Sequence, residues 1–383
     1  GGNGVCGGGS DGHGDDNTLI GNGAGYPITT GYDNVCVGSE AGVDLTTGHG
    51  CVLVGKGAGE NFTDNAENVV IGLAAMDAAT GGEHYNIAIG SNALGAENSN
   101  ANYCIAIGHQ ALILQNADVK NTAIGGLAGD AIVDTTGNTA VGYLACSAAA
   151  GAYNTAVGGY AYAKGTGAYN TVVGNAAGSS TDNTGTALSG DGNVLLGYAA
   201  GYDLTDGPGN VLVGRNAGAN MTTGDYNVAI GYQAAVAMVG SSNNNIAIGK
   251  VALSTQGTAN AGSDDCIAIG YNALLTQDAA DVKNLAIGTD AGRLISTGTQ
   301  NVLIGYEAGS TIATTNSSTA VGYNALKLAT GATNTAVGYL AGAEVASGID
   351  NVIFGAYAMA NADGGEAYNT AIGAAALYNL DND

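Results

Sequence analysis

The amino-acid sequence predicts an all-β protein, a parallel β-solenoid or β-roll of about 21 short coils. Three observations predict it. The phrase NTAVGYLA, Asn138 to Ala145, recurs with small changes 21 times in the 383 residues. The copies stand mostly 16 to 18 residues apart. Each copy holds a β-branched apolar triplet set between residues that favour turns.

A unit of this length is half a helical repeat and too short for a propeller blade, but it suits one solenoid coil. Coils stacked by parallel strand pairing rise about 4.8 Å each, so 21 of them form a rod on the order of 100 Å long. The repeats fill residues 17–377. A Gly/Asp-rich segment, 1–16, precedes the rod and a short tail, 378–383, follows it.

Within a copy, the triplet just before the anchor glycine (Gly142 in the quoted phrase) reads as the strand. It is too short for a helical pattern. The anchor permits a corner or a close backbone approach. Three residues after the anchor stands Ala in every copy, a position with room for a methyl only. Four before the anchor stands Asn, replaced by Cys51, Cys104, Cys266 and Ser318. Stacked asparagines such as Asn121, Asn138, Asn154, Asn170, Asn193, Asn210 and Asn227 predict a hydrogen-bonded structural ladder. The longer intervals, Ser179–Gly192 and Ser254–Asp265, read as loops standing off the rod, where recognition often resides.

Successive strand residues face opposite sides. The first and third triplet positions (Val, Ile, Leu or Thr) are assigned to the coil's own core. The middle one, usually Ala, then faces outward, yet it too is apolar. A strand apolar on both faces needs cover on both. The smallness of Ala predicts close approach of neighbouring chains, hence a homo-oligomer, a parallel trimer or a filament.

Composition narrows the function. With 8 Lys and Arg against 32 Asp and Glu, the formal net charge is −24. Nucleic-acid binding needs cations to neutralise phosphates, so it is excluded, as is an anionic membrane surface. No apolar run reaches the roughly 20 residues of a membrane span. The chain opens GGNGVCGGGS, without Met or signal peptide, as a mature form or a fragment does. The cysteines Cys6, Cys36, Cys51, Cys104, Cys146 and Cys266 form no CxxC pair and read as small buried fillers.

The consensus N-[TVI]-A-[IV]-G-x-x-A-G resembles the head repeats of trimeric autotransporter adhesins of the YadA type. The same phrasing resembles repeat regions of phage and bacterial tail-fibre-like proteins. The resemblance spans residues 17 to 377. It implies a left-handed roll, three chains side by side, and binding to matrix proteins or cells.

The sequence offers no catalytic constellation. His13, His49, His84 and His109 lie in turns or polar segments, with no HExxH; no GxSxG elbow or GK[ST] phosphate loop is present. The opening run Asp11–Asn17 is rich in oxygen ligands, which makes Asp11, Asp15 and Asp16 weak candidates for Ca²⁺. Further Ca²⁺ could bridge acidic turns at Asp182, Asp191, Asp203, Asp206, Asp264 and Asp265.

Seven tyrosines follow anchors directly: Tyr143, Tyr198, Tyr232, Tyr271, Tyr306, Tyr323 and Tyr339. Six more, Tyr85, Tyr103, Tyr153, Tyr169, Tyr226 and Tyr368, precede the Asn column. Aligned tyrosines form either a protein or glycan contact surface or corner packing between coils. Asn61, Asn220 and Asn316 lie in N-x-[ST] sequons, which matter where the host glycosylates.

The expected function is therefore non-catalytic: an extracellular structural fibre or adhesin on a cell or virion surface, needing no cofactor, with itself and a host surface protein or glycan as partners. A phage receptor-binding tail fibre is the alternative. An ice-binding solenoid is a lesser one, because the threonines Thr122, Thr139, Thr155 and Thr171 share the face assigned to the core. A polysaccharide-cleaving solenoid finds no repeated acidic or basic cluster to support it.

Overall fold

The computed structural model describes residues 16–97, 100–179, 188–238, 240, 242–254, 264–277, 282–362 and 364–379. Two compact units divide the chain, 1–191 and 192–383. The first holds ten strands of three residues, from β1 (Thr18–Ile20) to β10 (Thr171–Val173); the second holds eleven, from β11 (Val194–Leu196) to β21 (Thr370–Ile372). Each unit is a parallel β-solenoid with one strand per coil, and no helix occurs among the described residues.

Like residues stand over like. Thr139, Ala140 and Val141 pair with Thr155, Ala156 and Val157; Ile246, Ala247 and Ile248 pair with Ile267, Ala268 and Ile269. The amide of Thr139 donates to Asn154 O at 2.8 Å, while that of Gly142 donates to Ile124 O at 2.8 Å. Further on, the amide of Leu112 donates to Ala128 O at 3.0 Å. The column of alanines three after each anchor is thereby pinned from coil to coil, and Ala128, Ala145, Ala161 and Ala217 are fully buried.

The faces of the strand are the reverse of the sequence expectation. The middle residue of the triplet points inward: Ala88, Ala106, Leu195 and Leu212 are fully buried. The flanking pair points out, as at Val228–Ile230, where Ile230 is 38% exposed. The cause is the thinness of the coil. Opposite the strand, within the same coil, lie larger side chains such as Leu45, Phe62, Ile132, Met221 and Ile295, all buried. Little depth is left beneath the strand, so one inward residue per coil, Ala or Leu, fills it and the flanking pair stays out.

Two columns share that depth by volume. Where the middle strand residue is Leu, as at Leu53, Leu195, Leu212 and Leu303, the residue four after the anchor is Gly59, Gly201, Gly218 or Gly309. At Ala88, Ala106, Ala268 and Ala320 that later position carries Leu94, Leu112, Leu274 and Leu326, while beside Ala123, Ala286 and Ala336 it carries Gly129, Gly292 and Gly342, against which Leu112, Leu274 and Leu326 of the preceding coil pack. These leucines take left-handed backbone conformations, with φ of 51, 50, 47 and 48°. A left-handed leucine is strained by roughly 1–3 kcal/mol, which burial of its side chain and the inter-coil amide bonds offset.

The anchor column admits only glycine for a different reason. Gly125 has φ +140°, and a Cβ there would stand 2.4 Å from Gly142 O in the next coil. The same collision recurs at Gly142, against Gly158 O at 2.4 Å.

The asparagine column caps the backbone as well as stacking on itself. Asn121, Asn138, Asn154, Asn170, Asn193, Asn210 and Asn227 are at most 1% exposed. Asn210 Oδ1 accepts from the amide of Asn227 at 2.9 Å and from its Nδ2 at 3.1 Å. Asn210 Nδ2 in turn donates to Asn193 Oδ1 at 3.2 Å and to Gly224 O at 2.8 Å. Asn138 and Asn154 repeat the pattern, with the Asn154 amide 2.9 Å from Asn138 Oδ1, and Asn121 Oδ1 accepts from the Asn138 amide at 2.8 Å. Each asparagine thus satisfies buried donors and acceptors that would otherwise be orphaned.

Cysteine can replace it because a thiol both donates and accepts. Cys51 Sγ donates to Asn65 O at 3.4 Å and Cys104 Sγ to Val119 O at 2.8 Å. The amides of Asn68, Asn121 and Asn284 point at Cys51, Cys104 and Cys266 in return. Cys36, Cys51, Cys104, Cys146 and Cys266 are buried free thiols; Cys6 lies outside the described residues.

Candidate functional site

With the ladder and the alanines sealed inside, the chemistry that a partner can reach lies on the outer face. Its centre is the pair of outward strand columns. In the second unit these run Val211 and Val213, Val228 and Ile230, Ile246 and Ile248, Ile267 and Ile269, in register. In the first unit they run from Val35 and Val37 to Thr171 and Val173. The residues are half-buried by their own neighbours, yet Ile71, Ile124, Val173, Val352 and Phe354 stand out further. No charged residue enters either column.

One residue past each anchor stands the first tyrosine column. Tyr143, Tyr198, Tyr232, Tyr271, Tyr306, Tyr323 and Tyr339 are all 40–54% exposed. Tyr306 stacks on Tyr323 with centroids 5.1 Å apart, and Tyr323 on Tyr339 at 5.2 Å. Tyr143 meets Tyr160 edge to face at 5.5 Å. Between Tyr198 and Tyr232 the column carries Arg215, whose guanidinium lies 5.7 and 5.8 Å from the two ring centroids. Between Tyr232 and Tyr271 it carries Lys250, at 5.9 and 5.5 Å.

The second tyrosine column behaves alike. Tyr85 stacks on Tyr103 at 5.0 Å and Tyr153 on Tyr169 at 5.5 Å. Tyr153 also covers Gly137, and Tyr226 covers Gly209, where a Cβ would meet the ring at 2.6 Å. Tyr368 is exposed. Where tyrosines stack, ring faces are spent on neighbouring coils, leaving edges and hydroxyls to solvent.

Tyr162 carries no sequence signal of its own, because its column otherwise holds Gly, Leu, Met, Cys or Ala. It is fully buried; its hydroxyl donates to Gly167 O at 2.9 Å and accepts from Asn170 Nδ2 at 2.8 Å. Burial holds that phenol well above the ordinary tyrosine range.

Of the acidic candidates, Asp11, Asp15 and Asp182 lie outside the described residues. Asp16 is exposed, with φ 58° ahead of the first ladder asparagine. Asp191 and Asp264 serve as turn caps, accepting from the amides of Ala168 and Asn243 at 2.7 Å each. Among the described residues no three His, Cys, Asp or Glu side chains gather as a metal-holding group. His49 stacks on Tyr32 at 4.8 Å, and His84 Nδ1 accepts from the amide of Ala66 at 3.0 Å. His13 lies outside the described residues. No helix among the described residues is long and apolar enough to cross a membrane.

Local charge sets one part of the first tyrosine column apart. From Tyr198 to Asn272, the two residues after each anchor are Tyr198–Ala199, Arg215–Asn216, Tyr232–Gln233, Lys250–Val251 and Tyr271–Asn272, neutral or cationic throughout. Elsewhere cations sit against acids: Lys56 by Glu40, Lys120 by Asp118, Arg293 by Asp290, Lys327 by Glu307. The chain matches no profile of a known protein family and no curated protein.

Proposed function

We propose that the chain is an extracellular structural fibre or adhesin, a non-catalytic repetitive scaffold that assembles with further copies of itself. The observation that carries this reading is the uncharged, in-register double column of β-branched side chains along the outer face of each unit. An exposed apolar patch of that continuity marks an interaction surface. A second copy is the occupant it suits best. Two chains with the same rise per coil keep their columns interdigitated over many layers, whereas a partner of another period falls out of step within a few. The high negative charge elsewhere discourages association in any other orientation. A parallel trimer or a filament, on a cell or virion surface, follows from stripes meeting in this way.

The test is the native mass of the full chain, alongside electron microscopy. A defined oligomer or filament with elongated particles is expected. Ile248→Lys with Ile269→Lys, which puts charge into the stripe and leaves the core intact, is expected to return it to monomer. A compact monomer in the unsubstituted protein would dismiss the reading.

A second reading has one observation in its favour. Thr122, Thr139, Thr155 and Thr171 stand in consecutive coils in the outward column, paired in register with one another. A regular array of threonine methyls and hydroxyls beside valines is chemically suited to ordering water. Thermal hysteresis and faceted ice crystals in the presence of the protein are its test; their absence removes it.

A further inference from the structure

We infer that Tyr198, Arg215, Tyr232, Lys250 and Tyr271 form a binding strip for a linear polyuronate, an acidic polysaccharide whose uronate carboxylates recur along the chain. This gives the attachment role a ligand class and rests on that role, although the strip's chemistry stands apart from the apolar stripe that serves assembly.

The first argument is charge. The chain has only 8 Lys and Arg, and Lys56, Lys120, Arg293 and Lys327 are each matched to a nearby carboxylate. Arg215 and Lys250 are exposed, and among the described residues neither makes an ion pair. Each lies instead between two tyrosine rings. A cation–π contact orients a cation without neutralising it, so the charge stays available to an anion. An internal acid at either site would have quenched it.

The second argument is position. The backbone of the column is fixed: the amides of Asn216, Gln233 and Val251 donate to Tyr198 O, Arg215 O and Tyr232 O at 2.9, 3.0 and 3.0 Å. Flanking rings limit the swing of both cationic side chains, so little rotamer freedom is lost on binding. A guanidinium presents a fork to a carboxylate, while an ammonium is a compact point charge.

The third argument is spacing. Arg215 and Lys250 are two coils apart, about 9.6 Å at ~4.8 Å per coil. That is the span of two sugar residues in an extended polysaccharide. Tyrosine hydroxyls fall at the alternate coils, opposite the intervening sugars. The amides of Asn216 and Gln233, one residue further on, add neutral hydrogen-bonding groups beside the strip. A folded acidic protein presents carboxylates with no such period.

The test uses the full chain and immobilised polygalacturonate at low salt, with neutral dextran, dextran sulfate and poly-glutamate as the other arms. Binding to polygalacturonate and none to dextran is expected. Arg215→Gln with Lys250→Gln should weaken it at least fivefold. Lys120→Gln with Lys327→Gln removes the same charge elsewhere and should change it less than twofold. Tyr232→Ala, which alters no charge but frees both cations, should weaken it about threefold.

Absence of polygalacturonate binding overturns the proposal, as does equal loss in the two lysine/arginine pairs. Poly-glutamate binding as tight as polygalacturonate overturns the glycan class in favour of an acidic polypeptide or a second copy. Dextran sulfate binding tighter than polygalacturonate overturns the uronate in favour of a sulfated glycan. The scaffold reading is judged separately, by native mass and particle shape, so failure of one is distinguishable from failure of the other.

Discussion

Leu303 and Gly309 compete for one volume: a Cβ on Gly309 would stand 2.7 Å from Cδ2 of Leu303. The two residues lie on opposite walls of a single thin coil. Two coils earlier, Ala268 and Leu274 divide the same space the other way, both fully buried. Ile312 shares that volume too, its Cδ1 being 2.7 Å from the same Cβ, and the Ala268 coil has Gln277 in its place.

That relationship predicts a strong coupling. Gly309→Leu alone overpacks the coil and is expected to cost about 3 kcal/mol. Leu303→Ala alone opens a cavity worth roughly 2–5 kcal/mol. In an Ile312→Gln background, which removes the second side chain 2.7 Å from that Cβ and supplies the counterpart of Gln277, the double variant recreates the Ala268–Leu274 arrangement and should lie well above either single variant in stability. A double-mutant cycle by urea denaturation reads the interaction, expected to exceed about 2 kcal/mol in the rescuing sense. Additive losses would show that the two positions do not share their space.

Much of this fold is legible in the sequence, because a solenoid writes its layers as columns. The strand triplet, the anchor glycine and the alanine after it each follow from one local requirement repeated in every coil. The direction of the strand is harder to read. The triplet at Ile246–Ile248 is apolar at all three positions, so alternation gives no sign of inside or outside. Only the volume available beneath the strand decides, and that depends on residues such as Leu274 and Ile295, four and seven positions beyond their anchors. The constant pairing of a Leu in the middle of the triplet with Gly four after the anchor, as at Leu53 and Gly59 or Leu303 and Gly309, is the sequence trace of that shared volume. The cation–tyrosine strip is legible only as separate residues, because Arg215 and Lys250 become one feature when coils are stacked.

The ladder predicts a graded response at Asn210. Asn210→Ala orphans the buried amide of Asn227 and carbonyl groups such as Gly224 O. Leaving buried polar groups unpaired costs about 1–3 kcal/mol for each, so a loss of roughly 3 kcal/mol or more is expected. Asn210→Cys should cost at least about 1 kcal/mol less than Asn210→Ala, because a thiol accepts from the amide above and donates to a carbonyl, as Cys51 and Cys104 do. Chemical denaturation of the two variants checks the order. An alanine variant as stable as the cysteine variant would mean that the column contributes packing and no hydrogen bonding.

The buried thiols predict a loss of stability in alkali. Burial pushes Cys51 and Cys266 from an ordinary value of 9.0 up to about 11, and Cys36 and Cys146 up to about 12. Between those values the unfolded chain releases protons that the folded chain retains. Stability is therefore complete below pH 9 and falls as pH rises toward 11, by about 1.4 kcal/mol per pH unit for each thiol. Tyr162, whose phenol is also raised by burial, adds a loss of the same sign from the ordinary tyrosine range upward. Urea midpoints at pH 8 and pH 10 measure the total, and Cys146→Ala should flatten the slope by one thiol's share. The same burial keeps the thiols out of reach: a disulfide reagent at pH 8 should label the described cysteines only after unfolding. Rapid labelling of the native protein at Cys146 or Cys266 would show that the coils open locally, and the alkaline slope would then be shallower.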